Sequence, residues 1–403
     1  MSRSLGGTVN LPGSKSESNR ALMIAAYGGF PLEVDGLSDA HDTVLLKDLL
    51  DRSSLRGASA TKQSTIDCED AGTVARFLLT YLAGKSGEWL LTGTPRLCQR
   101  PMEPLIEALR QLGATVVTSH STIGRKTTLA QIIGHPLKGG PVTLDASQSS
   151  QFASSLLMAA PTWGKGLQLT LTGSPVSMPY LEMTIKMMEY FGIQIAREGN
   201  TIIVPHQPYH SRPFSVSADW SAASYWYEMM ALSDGGELLL KGLKPDSLQG
   251  DAVVAEWFKR LGVATMFDEQ GAHLTKVDCD PRDLVFDFTD NPDLFPAVYA
   301  TCTALGINAV FKGTATLSDK ESDRINALKK ELSKISRDAL SASLPVFCAH
   351  NDHRIAMSLA ALWPLWGPVA VDDPSVVNKS YPQFWNELND LQTSVFFSIS
   401  SSR

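Results

Sequence analysis

Six stretches of the chain are apolar on nearly every face that a helix would have. Each follows a short polar cluster, as SKSESNR precedes ALMIAAY, and the clusters recur every 56 to 75 residues. A helix that is apolar all round is typical of a protein core. The pattern therefore predicts six buried helices in a sixfold repeat. The apolar stretches begin at Ala21, Val74, Phe152, Ala222, Leu294 and Ile355.

A second class of helix is amphipathic and ends in an apolar residue followed by glycine. These helices end at Gly113, Gly192 and Gly262, where glycine is the expected C-terminal cap. Alternating β-branched and polar residues follow each of them and predict strands or hairpins. The predicted unit is strand, buried helix, strand, amphipathic helix, hairpin. Six units in 403 residues predict two domains of three units each.

Charge and composition narrow the class of protein. Hydrophobic residues make up 43% of the chain and charged residues 19%, which is the balance of a globular enzyme. The 42 acidic residues exceed the 35 Lys and Arg residues, which argues against a general binder of nucleic acid or membrane surfaces. No signal-peptide core and no apolar run of membrane-spanning length is present, so we expect a cytoplasmic protein. An anionic ligand would need a local basic pocket.

Cysteine and histidine spacing predicts neither a disulfide framework nor a metal site. The five cysteines are scattered without CxxC spacing, so we expect reduced thiols. His350 and His353 form a close histidine pair, and HxxH alone is weak evidence for a metal.

The polar clusters before the buried helices allow two interpretations. Ser, Asp and Asn at these positions are ordinary helix N-caps. A helix N-terminus also carries partial positive charge and free N–H groups, which suit an anion. The clusters include Lys15, Arg20, Arg76 and Arg354, cations that capping does not require. Both interpretations stay open on the residues alone.

The clusters resemble the signature motifs of the 5-enolpyruvylshikimate-3-phosphate synthase family. LPGSKSESNR resembles its N-terminal signature, DAGTVAR its N-A-G-T-x-x-R loop, and SSQFASSLLMAAP its S-S-Q helix start. Further similar segments keep the family's order from about residue 8 to residue 386. They are GTPRLCQRPMEPL, SMPYLEMT, SADWSAASY, LQGD, NPDLF, KESDRI, NDHRIAM and NKSYPQF.

The resemblance implies an α/β protein with the two-domain enolpyruvyl-transferase fold, an inside-out α/β barrel. Each domain would have three βαβαββ units around buried parallel helices. Residues 1–13 with 218–403 would form a discontinuous domain that holds phosphoenolpyruvate-side cations and the hinge. Residues 14–217 would form the inserted, shikimate 3-phosphate domain. Substrates would bind between the domains and draw them shut.

The resemblance also implies the reaction and its partners. The enolpyruvyl (carboxyvinyl) group of phosphoenolpyruvate passes to the 5-hydroxyl of shikimate 3-phosphate by addition and elimination, and phosphate leaves. The reaction belongs to the shikimate pathway to chorismate and the aromatic amino acids, and it uses no metal or organic cofactor. The expected partners are these two small molecules, without nucleic acid or membrane, and the expected state is a monomer. Glyphosate occupies the phosphoenolpyruvate site in this family.

The family's site residues carry over position by position. The proton carriers and the residue at the attacking hydroxyl would be Lys15, Glu321 and Asp293. The phosphoenolpyruvate site would comprise Lys15, Gly72, Arg100, Arg324, Arg354 and Lys379. The shikimate 3-phosphate site would comprise Lys15, Ser16, Arg20, Ser149, Ser150, Gln151, Ser177, Tyr180, Asp293 and Lys320.

Several positions depart from the family's pattern. Asp70 replaces the usual Asn before AGT, and Phe77 replaces a proline that often follows the arginine of that motif. TLSDK, from Thr316, lacks the family's basic and aliphatic residues, and Asp319 adds a negative charge beside Lys320. The segment SRDALSASLPVFCAH is too short for a full hairpin, which predicts a trimmed fifth or sixth unit.

Three alternatives compete with this interpretation. UDP-N-acetylglucosamine enolpyruvyl transferase shares the fold, but it typically has Lys-Asn at Lys15-Ser16 and lacks the S-S-Q helix start. A P-loop kinase would need glycine where the chain has Ser14 and Val9. A catalytically weakened binding homologue would keep the fold, and the mapped cations that the chain retains argue against it.

Overall fold

The computed structural model describes residues 4–52, 63–119, 122–123, 126–335, 346–367 and 369–391. The α-helices within these residues are α1 (Lys15–Gly28), α2 (His41–Asp51), α3 (Gly72–Ala83), α4 (Pro95–Gln99), α5 (Glu103–Gln111), α6 (Ser150–Ala159), α7 (Met178–Tyr190), α8 (Trp220–Leu232), α9 (Val254–Arg260), α10 (Phe295–Leu305), α11 (Arg324–Leu332), α12 (His353–Ala360) and α13 (Trp363–Trp366).

The strands are mostly short. They are β1 (Leu5–Asn10), β2 (Val34–Asp35), β3 (Ser64–Asp67), β4 (Gly87–Gly93), β5 (Thr115–Thr118), β6 (Thr122–Ile123), β7 (Lys126–Gly134), β8 (Gly140–Asp145), β9 (Leu167–Thr172), β10 (Ala196–Glu198), β11 (Thr201–Val204), β12 (Phe214–Ser215), β13 (Gly236–Lys241), β14 (Val263–Phe267), β15 (Gly271–Lys276), β16 (Val285–Asp287), β17 (Val310–Lys312), β18 (Val346–Phe347) and β19 (Ala370–Val371).

The chain divides into two compact units. Unit 1 comprises Met1–Ser14, Ser38–His41 and Ser217–Arg403, and unit 2 comprises Lys15–Leu37 and Asp42–Val216. The assignment of each unit to a substrate stays a prediction.

The six buried helices predicted from the apolar pattern are confirmed. They are α1, α3, α6, α8, α10 and α12. In α8, every residue from Ala222 to Leu232 is buried, and in α6 every residue from Phe152 to Ala159 is buried. Because these helices are covered on all sides, only their ends are available to a ligand. Their N-terminal residues are therefore the parts that bear on function.

Three four-strand arrangements repeat one topology. In the order β8-β9-β11-β10, the first two strands are parallel and the remaining neighbours are antiparallel. The orders β1-β13-β15-β14 and β3-β4-β7-β5 repeat this pattern, and β6 also pairs with β7. Each is the βαβαββ unit that the hydrophobic pattern predicts.

The other described sheets are parallel pairs. They are β2 with β12, β16 with β17, and β18 with β19. The predicted trimming of the fifth or sixth unit falls largely on residues 336–345, which lie outside the described residues.

Glycine ends the three amphipathic helices as predicted. Gly113, Gly192 and Gly262 have φ angles of 91°, 93° and 90°, in the left-handed region that favours glycine. The strands that follow are β5, the β10–β11 hairpin and the β14–β15 hairpin. The change from helical to alternating pattern therefore gave these boundaries correctly.

Two of the four places where the chain passes between the units, after Ser14 and before Ser217, are paired with each other in unit 1. Gly13 forms an antiparallel bridge with Ala218, and the Ser14 N–H donates to the Ser217 carbonyl at 2.8 Å. Gln249, from the LQGD motif, supports this pairing, because its Nε2 donates to the Ala218 carbonyl at 2.8 Å. This motif thus contributes to backbone support.

Across the described ranges, no helix is long and apolar enough to cross a membrane. The same residues contain no group of three or more His, Cys, Asp or Glu side chains placed to hold a metal ion. The cysteines are free thiols.

Candidate functional site

Lys15, the first residue of α1, forms an ion pair in unit 2. Its Nζ lies 3.0 Å from Oδ2 of Asp42, whose side chain is only 2% exposed. The side chain of Lys15 is 15% exposed, so the ammonium is held near the surface by a buried carboxylate. Asp42 was not predicted, because nothing in the sequence around HDTV marks it as a partner.

Arg20 is buried one turn further along α1, and its hydrogen-bond acceptors are neutral. Its Nε donates to Thr184 Oγ1 at 2.7 Å, and its Nη atoms donate to the carbonyls of Ser16 at 2.9 Å and Tyr180 at 3.1 Å. Nη2 also lies 3.4 Å from Ser154 Oγ. Burial lowers the pKa of Arg20 to about 10, so the guanidinium stays charged at neutral pH. A buried cation with neutral acceptors is favourable for a bound anion.

Two guanidinium groups lie at the N-terminus of α3. A Cβ atom placed on Gly72 would lie 2.7 Å from Arg100 Nη1 and 3.3 Å from Arg76 Nη1. The residue before the helix is Ala71, which makes no capping side-chain bond. Positive charge therefore accumulates where the helix itself is positive at its end. Only glycine at position 72 leaves this space.

Arg76 connects this helix end to the start of α6. Its Nη1 donates to Gln151 Oε1 at 2.6 Å, and its guanidinium lies 5.3 Å from the centroid of the Phe152 ring. Gln151 Nε2 donates in turn to Thr73 Oγ1 at 3.0 Å. The S-S-Q segment and the AGT segment are thereby joined by side chains of Arg76, Gln151 and Thr73.

The serines before α6 have different environments. Ser149 is the N-cap, and its Oγ accepts from the Gln151 N–H at 3.3 Å. Ser150 is buried, with 5% of its surface exposed. The Ser149 hydroxyl is thus used in capping in this structure, as the simpler interpretation of the polar cluster expects.

Ser177 and Tyr180 lie at the start of α7. Ser177 has a left-handed backbone, with φ 56° and ψ 40°, and makes no capping side-chain bond. Tyr180 contributes its carbonyl to Arg20, and its N–H donates to the Ser177 carbonyl at 3.1 Å. A non-glycine residue held in this conformation is uncommon and often belongs to a functional segment.

Phe77, which replaces the family's proline, is fully buried in α3. Its ring lies 5.8 Å from the Arg20 guanidinium carbon. An aromatic ring at this distance stabilises the buried cation. Phe77, which departs from the family's pattern, therefore contacts Arg20, which is predicted to bind shikimate 3-phosphate.

In unit 1 the predicted residues gather around Asp293. Its Oδ1 lies 2.9 Å from Arg324 Nη1 and 4.0 Å from Lys320 Nζ, and its Oδ2 lies 2.8 Å from Arg354 Nη2. Arg354 Nη1 also lies 3.5 Å from the Tyr225 hydroxyl. Arg324 and Arg354, which are predicted to bind phosphoenolpyruvate, thus both contact Asp293, which is predicted to act on the attacking hydroxyl.

Arg324 is surrounded by carboxylates. Its side chain is 1% exposed, and its Nε donates to Asp352 Oδ2 at 2.9 Å. Its Nη2 donates to Glu321 Oε2 at 3.0 Å, and the Glu321 side chain is 12% exposed. The ion pair between Glu321 and Arg324 is therefore largely buried.

Charge neighbours shift the pKa values in this group. Burial by itself would raise the pKa of Asp293, but Arg354, Lys320 and Arg324 hold it well below its usual range. Burial would likewise lower the pKa of Arg324, but Asp352, Glu321 and Asp293 raise it well above its usual range. Both groups are therefore charged at neutral pH.

Lys320, Lys379 and Asp319 lie on irregular segments of unit 1. Lys320 follows the 3-10 turn Ala315–Asp319, and Lys379 ends the 3-10 turn Pro374–Lys379 with 7% of its surface exposed. Asp319 is exposed, and its Oδ1 lies 3.3 Å from Ser318 Oγ. Its extra charge points to solvent, whereas Lys320 lies toward Asp293.

The polar residues at the helix N-termini act as N-caps at some helices and not at others. Asp219, Asp352 and Ser149 cap α8, α12 and α6 by accepting backbone N–H bonds. At α3, the N-cap Ala71 makes no such bond. The capping interpretation is therefore confirmed at α6, α8 and α12, and the anion-site interpretation stays a prediction.

The predicted residues are thus brought together in two sets. Gly72 and Arg100 are adjacent in unit 2, and Arg20 is bonded to the backbone of Ser16 and Tyr180. In unit 1, Asp293, Lys320, Glu321, Arg324 and Arg354 are contiguous. Sequence reasoning missed the carboxylates Asp42 and Asp352. Asp352 could have been found, since Asp two residues before Arg354 in NDHR is an N-cap signal.

Comparison with known proteins gives the family. The model of the family EPSP synthase (3-phosphoshikimate 1-carboxyvinyltransferase) matches residues 1–388. A 3-phosphoshikimate 1-carboxyvinyltransferase from Bacteroides fragilis (strain YCH46) is 40% identical in an alignment 400 residues long that covers 94% of this chain and 94% of its own. The enzyme of the same name from Syntrophobacter fumaroxidans is 34% identical, over 96% of this chain and 97% of its own.

Solved structures share the fold. EPSP synthase from Acinetobacter baumannii matches with a TM-score of 0.71 at 22% identity and covers 96% of both chains. The enolpyruvyl transferase NikO from Streptomyces tendae matches with a TM-score of 0.68 at 15% identity, over 96% of this chain and 95% of its own. The predicted enolpyruvyl-transferase fold is confirmed. With the matches to the family model and to the relatives, the chain belongs to the EPSP synthase (3-phosphoshikimate 1-carboxyvinyltransferase) family.

Proposed function

We propose that the chain transfers the carboxyvinyl group of phosphoenolpyruvate to the 5-hydroxyl of shikimate 3-phosphate and releases phosphate. Family membership supports this transferase reaction. The observation that carries the proposal is the N-terminus of α3, where the Arg100 and Arg76 guanidinium groups lie beside Gly72. A helix end of this kind is suited to a ligand that carries two anionic groups.

Phosphoenolpyruvate has a carboxylate and a phosphate. Planar guanidinium groups bind such anions with two parallel hydrogen bonds, and ammonium groups act as point charges. Arg100, with the backbone at Gly72, supplies the unit 2 contacts, and Lys15 lies between the two substrates. The unit 1 contacts are Arg324, Arg354 and Lys379.

Shikimate 3-phosphate has a phosphate, a carboxylate and ring hydroxyls. Hydroxyl and amide donors on unit 2 suit these groups, and Arg20 adds a buried positive charge close to them. Asp293 and Lys320 contact the ring hydroxyls from unit 1. The unit 2 contacts are Lys15, Ser16, Arg20, Ser149, Ser150, Gln151, Ser177 and Tyr180.

The reaction needs one proton transfer at the attacking hydroxyl and two at C3 of phosphoenolpyruvate. The 5-hydroxyl oxygen bonds to C2 of phosphoenolpyruvate and loses its proton while C3 gains one and becomes a methyl group. The methyl group then loses a proton, the C2–O bond to phosphate breaks, and the enol ether double bond forms. Glu321 and Lys15 carry the C3 proton, and Asp293 accepts the hydroxyl proton. Each transfer is worth roughly a hundredfold to ten-thousandfold in rate.

Asp293 becomes a better base when its cations change partner. In this structure its depressed pKa makes it a poor proton acceptor. Phosphoenolpyruvate supplies new acceptors to Arg324 and Arg354, which then leave the Asp293 carboxylate. The loss of these contacts raises the pKa of Asp293 toward its usual range. Substrate binding therefore prepares the base.

We further infer that the protein works in the cytoplasm as a monomer. The lack of apolar spanning length in the sequence supports the location, and the enclosed pairing of Asp293 within one unit needs no second copy. Sedimentation at several concentrations measures the state, and a concentration-dependent dimer would contradict it.

The proposed function is tested by product analysis. The chain is mixed with phosphoenolpyruvate and shikimate 3-phosphate, and phosphate and enol ether are followed by phosphorus and proton NMR. We expect equal amounts of both products. Product from UDP-N-acetylglucosamine instead would assign the sister activity, and binding of both substrates without product would assign a silent homologue. Either outcome would overturn the proposal.

A further inference from the structure

The segment that leads into α12 is attached to α11 at both ends of that helix. At the N-terminus of α11, Arg324 Nε donates to Asp352 Oδ2 at 2.9 Å. In its last turn, Glu331 contacts the same segment at Cys348 and His350. The two attachments are about 10 Å apart, since seven residues separate them along the helix. The segment, which ends at the N-cap of α12, is therefore held along its length.

Glu331 is a buried carboxylate whose oxygens are both used. Its Oε2 accepts from the Cys348 backbone N–H at 2.8 Å and from Lys334 Nζ. Its Oε1 lies 2.9 Å from His350 Nε2, so this ring nitrogen carries the hydrogen. The Glu331 side chain is 0% exposed. Burial of a carboxylate is costly unless its hydrogen bonds are satisfied. The contacts of Glu331 with His350 and with the Cys348 N–H therefore fix the orientation of these two groups.

The backbone at the contact is left-handed at two successive residues. His350 and Asn351 have φ angles of 52° and 55°, a conformation uncommon for non-glycine residues. Asp372 provides support from another side, because its Oδ1 accepts from the Ala349 N–H at 2.8 Å. The chain then turns directly into the N-cap Asp352.

The same segment sets the position of Arg354. Asp352 Oδ1 accepts from the Arg354 N–H at 2.9 Å, and Arg354 Nη2 reaches Asp293 at 2.8 Å. A displacement of the His350–Asn351 turn would therefore move Asp352 and Arg354 together. Displacements of about an ångström at such groups cost up to about a hundredfold in rate.

We propose that Glu331 and His350 are positioning residues that hold Arg354 in the geometry needed to bind phosphoenolpyruvate. This inference rests on the proposed function. In this role neither residue contacts substrate: Glu331 orients His350 and the Cys348 amide, and the left-handed turn transmits that orientation to Asp352.

The test uses two substitutions at one position. Asn tolerates the left-handed backbone but is too short to reach Glu331, so His350→Asn removes the contact without adding backbone strain. Gln places an N–H at the distance of His Nε2, so His350→Gln keeps the donor. We expect His350→Asn to raise KM for phosphoenolpyruvate about tenfold, with KM for shikimate 3-phosphate within about twofold of wild type. His350→Gln should restore most of the loss.

Two further variants separate positioning from folding. Glu331→Gln should reproduce the KM split of His350→Asn, and Lys330→Gln, on the exposed face of α11, should leave both KM values unchanged. Equal rises in both KM values, or no rescue by His350→Gln, would overturn the proposal. Thermal melting identifies any variant that has lost its fold.

Hydrogen exchange distinguishes failure of this inference from failure of the proposed function. If the wild-type chain does not transfer the carboxyvinyl group, the proposed function is wrong. Exchange of the amides at 348–354 is then still informative. Faster exchange in His350→Asn than in wild type and His350→Gln supports the positioning role, and equal exchange in all three overturns it.

Discussion

Substitution of Gly72 by alanine adds one methyl group at the proposed anion site and so tests that site. The added Cβ of Gly72→Ala would lie 2.7 Å from Arg100 Nη1, so the guanidinium must move. Glyphosate is longer than phosphoenolpyruvate and should be excluded first. We expect its inhibition constant to rise about tenfold or more, with KM for phosphoenolpyruvate changed less than about threefold.

Inhibition curves on wild type and variant measure this difference. The matched control is Gly164→Ala, since a Cβ at exposed Gly164 meets nothing within 4 Å. An equal change in both constants would show that Gly72 does not discriminate between the ligands. The wild-type curve comes first, because Phe77 already alters the packing around Arg20.

Glu321 is the residue that tests the acid role. Glu321→Gln keeps the shape of the side chain and its contact with Arg324, but it removes the titratable proton. We expect kcat to fall by about a hundredfold or more while shikimate 3-phosphate binding is retained. Steady-state kinetics measure the effect, with exposed Asp319→Asn as control. A wild-type kcat would transfer the proton-donor role to Lys15.

The ion-pair partners of the site residues were harder to predict than the site residues themselves. The motif pattern named Lys15 and Arg324, yet it did not indicate Asp42 or Asp352 as their partners. Ion pairs depend on which segments meet in space, and spacing along the chain does not report this. Glu321 and Arg324 form an ion pair three residues apart, although Glu321 lies before α11 begins at Arg324.

The buried side chain of Glu228 lies where α8, α10 and α12 pack together. Its Oε1 lies 3.3 Å from Ser358 Oγ, and that hydroxyl also lies 3.0 Å from the Pro296 carbonyl. The Ser358 hydroxyl is the donor in both contacts, so its single hydrogen serves the Glu228 carboxyl only in part. Burial raises the pKa of Glu228 well above its usual value. The raised pKa favours the neutral form of this buried carboxyl.

The raised pKa of Glu228 gives stability a definite pH dependence. The folded state binds the proton more tightly than the unfolded state. The contribution of Glu228 to the free energy of unfolding is therefore fully present below the pKa of the unfolded state, near 4.3. It is lost as pH rises toward the pKa of the folded state, by at most about 1.4 kcal/mol per pH unit. We expect Glu228→Gln to remove this loss. Urea unfolding from pH 5 to 8 measures it, with exposed Glu256→Gln as control. Parallel pH curves for wild type and Glu228→Gln would contradict the account.

At the scale of elements, periodicity was the informative signal. The all-apolar stretches and the helix–glycine–strand pattern predicted α6, α7 and α8 with boundaries close to those observed. Capping was less predictable, because Asp219 and Ser149 cap their helices while Ala71 offers no capping side chain. A polar cluster does not itself reveal which of its members meets the first N–H groups.

The whole molecule should contract when it binds ligand. Under the proposed function, anionic substrates bind cations of both units and draw the units toward each other. We expect shikimate 3-phosphate to reduce the radius of gyration. Small-angle scattering with and without ligand measures it, and the same radius in both conditions would contradict closure.

The fold as a whole was predictable because one supersecondary unit recurs. Three described sheets repeat the same strand order, and their helices follow the repeat read from the apolar stretches. The short pairs β16–β17 and β18–β19 were less predictable. Two- or three-residue strands such as Val346–Phe347 carry too little alternation to be recognised.

The central claim is that arginines from both units bind one substrate. Calorimetric titration of phosphoenolpyruvate in the presence of shikimate 3-phosphate tests it most directly, with Arg100→Ala from unit 2 and Arg354→Ala from unit 1. The controls are Arg197→Ala and Arg282→Ala, whose side chains are 43% and 83% exposed. The account predicts that each site variant weakens phosphoenolpyruvate binding about tenfold or more, while shikimate 3-phosphate still binds. Wild-type affinity for phosphoenolpyruvate in either Arg100→Ala or Arg354→Ala would contradict it.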